Sequence, residues 1–225
     1  MFRAAGARVM VSSEDRDATA RVARELGCSG FAADVRDDEA LQDLVAECLS
    51  ELGSLDILVC NAGVTGEPGP SATVDISDYD NVMSINLRSQ LVLCKLALPH
   101  VAKRENGAAI LMASLSALRG NGAISSYALA KAGVCQLARN LAVEWGPRGV
   151  RVNAISPGLI RTPLSEPLLA DAAFMARRMA MTPLRRPGEA DEVAGAALFL
   201  ASEASAFVTG HNLVVDGGTL ISDGS

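Results

Sequence analysis

Short aliphatic, β-branched runs alternate along the chain with longer stretches in which apolar residues recur every three or four positions. That alternation predicts parallel βαβ units. Residues 8–12 read as a buried strand, 17–26 as a helix closed by Gly27, and 30–34 as a second strand. Asp37 has the chemistry of an N-cap, and Leu41, Leu44, Val45, Cys48, Leu49 and Leu52 then trace one buried stripe that Gly53 ends. Residues 55–60 predict a third strand, 77–98 a long helix stopped by Pro99, and 108–113 a fourth strand. A second long helix spans 125–145, closed by Gly146-Pro147, and 150–155 is the fifth strand. Residues 156–187 are broken by prolines and only patchily periodic, which predicts a mobile excursion with short helices. A helix over 189–201 and a short strand over 213–215 follow. No repeat or linker divides residues 1–225, so the expected architecture is one α/β domain, a doubly wound parallel sheet.

Composition narrows the function. Of the 225 residues, 49% are hydrophobic and 20% charged, enough to bury a core and inconsistent with disorder. The net charge is −6 with no basic block, which argues against nucleic acid or a membrane surface as partner. No apolar run has the length of a membrane span, and residues 1–4 lack a signal-peptide core, so a cytoplasmic location is expected. The five cysteines, Cys28, Cys48, Cys60, Cys94 and Cys135, are scattered without a C-x-x-C pair. With only His100 and His211 as histidines, no metal site is expected. Among 20 basic residues only Lys95, Lys103 and Lys131 are lysines, so each is a candidate for a specific role.

In sheets of this type ligands bind at the carboxyl ends of the strands. Asn61-Ala62-Gly63 follows the third strand, Ser114 the fourth and Pro157-Gly158 the fifth. Tyr127 and Lys131 stand four apart on a predicted helix, so their side chains share a face. A phenol titrates near 10, too high for a ready base, and a lysine cation one turn away favours its ionised form.

Tyr127-Ala-Leu-Ala-Lys131, Ser114 thirteen residues before Tyr127, Asn61-Ala62-Gly63, Pro157-Gly158 and Val215-Asp216-Gly217-Gly218 together resemble the short-chain dehydrogenase/reductase family. The similarity runs along essentially the whole chain, and Gly120-Asn121-Gly122 resembles its 3-oxoacyl-acyl-carrier-protein reductases. The resemblance implies a Rossmann-like fold and an NAD(P)-dependent oxidoreductase that interconverts a secondary alcohol and a ketone. It implies Tyr127 as the proton-transferring group, Ser114 as the hydrogen-bond donor to the carbonyl oxygen, and Lys131 as a ribose ligand. Asn86 would hold a water that relays protons to Lys131. Asp34 and Val35 would meet the adenine, Asn61, Ala62 and Gly63 the adenosine ribose, and Pro157, Gly158, Ile160 and Thr162 the nicotinamide carboxamide and neighbouring phosphates. Members are commonly homo-oligomers, a tetramer or a dimer.

At the position that reads the adenosine 2′ group the chain offers Ser13-Glu14-Asp15-Arg16. Glu14 and Asp15 would repel a phosphate, which leans the cofactor towards NAD, although Ser13 replaces the usual acidic residue and Arg16 lies within reach. The family's phosphate-binding T-G-x-x-x-G-x-G is not in the sequence. Residues 2–9 resemble the end of the family's first helix running into its second strand, so the usual first strand and phosphate-binding loop, roughly 25 residues, are lacking. A mid-sheet gap between residues 8–12 and 55–60 is therefore expected, with weak or no NAD(P)H binding by this chain. The alternative to an enzyme is an N-terminally truncated, non-catalytic family remnant that acts as an oligomer subunit or binding module.

Overall fold

A computed structural model describes residues 1–222. Eight strands and eight helices are set among its turns: β1 (Met10–Ser13), α1 (Arg16–Leu26), β2 (Ser29–Ala32), α2 (Asp38–Leu52), β3 (Ile57–Cys60), α3 (Ile76–Met83), α4 (Ser89–Val101) and β4 (Ala108–Met112) in the first half. The second half holds α5 (Ser125–Trp145), β5 (Arg151–Pro157), β6 (Ile160–Arg161), α6 (Glu166–Ala170), α7 (Ala172–Ala180), β7 (Gly188–Glu189), α8 (Ala190–Ala201) and β8 (Asn212–Val215). All pairings are parallel. The central ladder has the order β3-β4-β5-β8, β1 pairs with β2 in a separate ladder, and β6 pairs with β7. The expected Rossmann-like α/β sheet is present, and β1 and β3 are not hydrogen-bonded to each other. Val59 of β3 consequently keeps 39% of its surface exposed, unusual for a strand with Leu58 and Cys60 buried on either side.

Local chemistry sets the helices. Asp37 accepts hydrogen bonds from the amides of Glu39 and Ala40, and Gly53 closes α2 at φ 77°, a conformation open to glycine without strain. Asp15 caps α1 through the amide of Ala18, so α1 starts at Arg16, one residue before the expected position. The expected helix over 77–98 is interrupted by a π-helical turn at Ser84–Arg88 and continues past Pro99 to Val101. Proline removes one backbone donor, and so close to the helix end the lost bond does not stop it. The stretch from 156 to 187 contains α6 and α7 as short helices, together with the β6–β7 bridge, which has no period-two signal.

The sheet is covered on both faces. On one, Leu98, Val101, Leu111, Val134, Val152 and their neighbours form the main core beneath α4 and α5. On the other, Ile110, Ile155, Val193, Ala197 and Leu200 pack with α8, and Phe2 joins them. Each fully buried aliphatic side chain contributes about 1.5–3 kcal/mol. That packing fixes the carboxyl ends of β3, β4 and β5 on one edge, with β4 and β5 in register from Ala108↔Arg151 to Met112↔Ile155. The β1–β2 unit is anchored differently, by Arg8 donating to the carbonyls of Glu51 and Leu52 and by Arg36 donating to Asn81.

Candidate active site

Ser114 leaves β4 and caps the short turn that follows, its hydroxyl accepting from the amide of Ser116 at 3.1 Å. The loop from there to α5 is held by Asn121, whose side-chain oxygen accepts from the amides of Ala123 and Ile124. α5 then buries Ala130, Lys131, Val134, Cys135 and Ala138 at helical spacing. Ser114 faces the Tyr127 phenol, and the Lys131 ammonium stands 5.6 Å from the centre of the Tyr127 ring.

Lys131 is 3% exposed and donates to the carbonyl of Met112 at 2.8 Å. Burial lowers its pKa to about 8, opposed by the nearby Cys135 and Cys60. Burial also raises Tyr127, and the Ser114 hydroxyl facing it works against that rise. The sequence spacing suggested Lys131 as the group that lowers Tyr127; here burial outweighs everything acting downward, and the downward contribution comes from Ser114. Near neutral pH the arrangement therefore presents a protonated phenol beside a hydroxyl and a buried ammonium. Cys60, buried beside Cys94, is held well above the ordinary thiol range and is a packing residue.

Asn86 lies in the π-helical turn and is fully buried. Its amide donates to the carbonyls of Val64 at 2.8 Å and Val82 at 3.0 Å, and its oxygen accepts from the Val64 amide at 3.2 Å. That pairing fastens the loop after β3 onto the helix. Gly63 fits between them: a Cβ there would stand 2.7 Å from Asn86 Oδ1 and 3.3 Å from Lys131 Nζ. Asn86, Lys131 and Gly63 thus form one contact. Gln90, one turn after Asn86, had no sequence signal. It donates to the Asn86 carbonyl at 2.9 Å and to the Met112 carbonyl at 3.4 Å, sharing the latter with Lys131. Its oxygen is buried without a hydrogen-bond partner among the described residues.

Pro157 ends β5 beside Val215, and Gly158 donates to the Val215 carbonyl at 2.9 Å. A Cβ on Gly158 would come 2.8 Å from Asp216 Cα, so only glycine fits this approach. Ile160 opens β6, and Thr162 bonds with Ser165, whose hydroxyl accepts from the Thr162 amide at 3.1 Å. These residues share the sheet edge with Ser114.

The remaining predicted residues are placed less convergently. Asn61 and Ala62 are exposed beyond β3. Ser13 bonds with Thr19 at 3.1 Å, Glu14 is exposed, and Asp15 is engaged in its helix cap. Asp34 follows β2 and is clasped by Arg36 at 2.6 Å, whose hydrogen bonds hold its carboxyl below the usual range, while Val35 is half-buried. Ser13, Glu14, Asp34 and Val35 thus belong to the β1–β2 ladder and the tyrosine cluster to the other.

The residues fit the nicotinamide end of a dinucleotide. Lys131 has three ammonium donors and spends one on Met112, leaving donors for a ribose diol beside Tyr127 and Ser114. At the pyrophosphate end no strand and glycine-rich turn lie between β1 and β3 among the described residues. Groups of His, Cys, Asp and Glu arranged for a metal do not occur among the described residues, and no helix there is long and apolar enough to cross a membrane.

Comparison with known proteins points the same way. A family model described as enoyl-(acyl carrier protein) reductase matches residues 1–219. The chain is 39% identical over 218 residues to a cis-4-hydroxycyclohexanecarboxylate dehydrogenase from Sinomonas cyclohexanicum, covering 95% of this chain and 86% of that protein. It is 33% identical to the 3-oxoacyl-(acyl-carrier-protein) reductase of Thermotoga maritima over 226 residues, 98% of this chain and 91% of the relative. Among solved structures, a gluconate 5-dehydrogenase from Burkholderia cenocepacia in complex with NADP and tartrate superposes with a TM-score of 0.92 at 30% identity, covering 97% of this chain and 88% of that one.

Proposed function

The chain belongs to the short-chain dehydrogenase/reductase family, and on that premise we propose that it is an NAD(P)-dependent oxidoreductase that interconverts a secondary alcohol and a ketone. The observation that carries this reading is the cluster of Ser114, Tyr127 and a buried Lys131 at the carboxyl end of the sheet. The bound nicotinamide would supply or accept the hydride.

Ser114 holds the carbonyl oxygen through its hydroxyl and stabilises the charge that develops there. Tyr127, protonated near neutral pH because burial raises it, donates its phenolic proton to that oxygen during reduction. In the reverse direction it accepts the alcohol proton. Lys131 holds the ribose with its free donors, and its positive charge opposes accumulation of further protons near the phenol. Asn86, with Gly63 and Gln90, positions Lys131 and the loop after β3; its side chain is already committed to Val64 and Val82, so any relay through it runs past the backbone. Pro157, Gly158, Ile160 and Thr162 line the carboxamide end, and Asn61, Ala62, Asp34 and Val35 the adenosine end. Glu14, exposed beside Ser13, supports NAD as the preferred cofactor, and turnover with NADH against NADPH tests that lean: a strong NADPH preference sinks it. Leu129 and Val143, exposed on one face of α5, support a homo-oligomer.

The test is ketone reduction followed through nicotinamide absorbance, with Tyr127→Phe as the control that must fail. The separate β1–β2 and β3-β4-β5-β8 ladders favour a second reading, a non-catalytic subunit or binding module. Absence of Tyr127-dependent turnover across a ketone panel supports that second reading.

A further inference from the structure

Arg119 lies midway along the loop that joins Ser114 to Tyr127, and Arg177 and Arg178 lie on α7. All three line an open groove of about 420 Å³, together with Gly120–Gly122 of the same loop and with Phe174 and Met181. No aspartate or glutamate lines it. The chain has a net charge of −6, and Arg36, Arg88, Arg104, Arg161 and Arg186 each make an ion pair with a carboxylate, while the other arginines make none among the described residues. Arg119 and Arg178 have no carboxylate partner among the described residues.

Both side chains are half-buried. The Arg178 guanidinium stands 5.4 Å over the Phe174 ring, which orients its fork. Burial and the charge of Arg119 both disfavour its protonation, yet a guanidinium stays charged in proteins, so with Arg177 three like charges line the site at an energetic cost. An oxyanion between them would remove that cost and accept paired N–H bonds from each planar fork. The loop is already held by the Asn121 side chain, so little ordering would be needed on binding.

We propose that Arg119 and Arg178 form an oxyanion-binding site, and that the substrate of this chain is a ketone or alcohol bearing a carboxylate or phosphate away from its reacting carbon. The substrate class rests on the oxidoreductase reading; the anion site does not.

The experiment is ligand-observed NMR on the full chain without cofactor, using 4-oxopentanoate, its neutral amide 4-oxopentanamide, and inorganic phosphate as probes. The expected result is that 4-oxopentanoate binds about tenfold more tightly than the amide, and that Arg119→Gln and Arg178→Gln each erase the difference. Arg178→Lys should restore part of it by charge alone. Phosphate binding with the same dependence on the two arginines, without carboxylate binding, also supports the anion site and identifies phosphate as the group. If a variant fails to fold, the unsubstituted chain still decides: the preference for the anionic probe must shrink as salt rises from about 0.05 to 0.5 M. Equal binding of 4-oxopentanoate and its amide with no phosphate binding, or an anion preference indifferent to salt and to both substitutions, overturns the proposal. Reduction of the neutral ketone by the unsubstituted chain is scored separately, so failure of the oxidoreductase reading is recognised independently of the anion site.

Discussion

At the carboxyl end of β4, groups far apart in sequence are tied to one another: Lys131 with the Met112 carbonyl and Asn86 with Val64, with Ser114 facing Tyr127. At the ends of β1 and β2 the polar groups bond within their own segments, Ser13 with Thr19, Asp15 with the start of α1, and Asp34 with Arg36. The first region is a buried cluster held by long-range packing against two cores. The second is a set of locally satisfied turns on a ladder that does not join the central sheet. On the function proposed above, reaction chemistry would sit in a buried network, while the β1–β2 side is held by surface contacts such as those of Arg8 and Arg36.

The largest expected effect falls on the buried network. Tyr127→Phe removes the proton donor and should lower turnover by about 10²–10⁴-fold, with unfolding midpoint little changed. Retained turnover would remove Tyr127 from the chemistry. Ser114→Ala should cost about 10²–10³-fold in kcat by deleting a donor to the developing oxyanion. An effect confined to KM would reassign Ser114 to ground-state binding.

Lys131 tests the same region through stability. Its folded pKa, about 8, lies below the ordinary 10.5, so between those values the unfolded chain holds more protons and stability contributed by this site rises with pH. The cost of burying the cation is fully present below pH 8 and gone above 10.5. Relative to Lys131→Met, the unsubstituted chain should therefore gain up to about 3 kcal/mol across that window, measured by urea unfolding at several pH values. A flat difference would mean that Lys131 titrates normally. Gly63→Ala forces a Cβ against Asn86 and Lys131 and should destabilise by about 1–3 kcal/mol, read as a lower urea midpoint. No change would show that the loop after β3 relaxes freely. The smallest contrast is dynamic: amides of β1 and β2 should exchange with deuterium faster than those of β4 and β5, and equal protection would erase the distinction between the two ladders.

The sequence made the two regions legible to different degrees for physical reasons. Local chemistry announced Asp37 as a cap, Gly53 as a stop, and Tyr127 with Lys131 as neighbours one turn apart. The separation of β1 from β3 was legible too, because the phosphate-loop pattern is not in the chain. The π-helical turn at Ser84–Arg88 was not, since one extra residue in a turn leaves the hydrophobic period almost unchanged. Gln90 reads as an ordinary helix residue until Met112, 22 positions later, is folded against it. The direction of the Tyr127 shift depended on how deeply Tyr127 is buried, and the placing of Arg119 and Arg178 in one groove on the docking of α7, both tertiary facts.

The initial rate of ketone reduction as NADH or NADPH is raised from micromolar into the millimolar range tests the contrast most directly. A complete reaction cluster joined to a weak adenosine grip should give alcohol at a rate that keeps climbing through the millimolar range and vanishes in Tyr127→Phe. No alcohol at any cofactor concentration would contradict the reaction half, and saturation below a micromolar would contradict the weak grip.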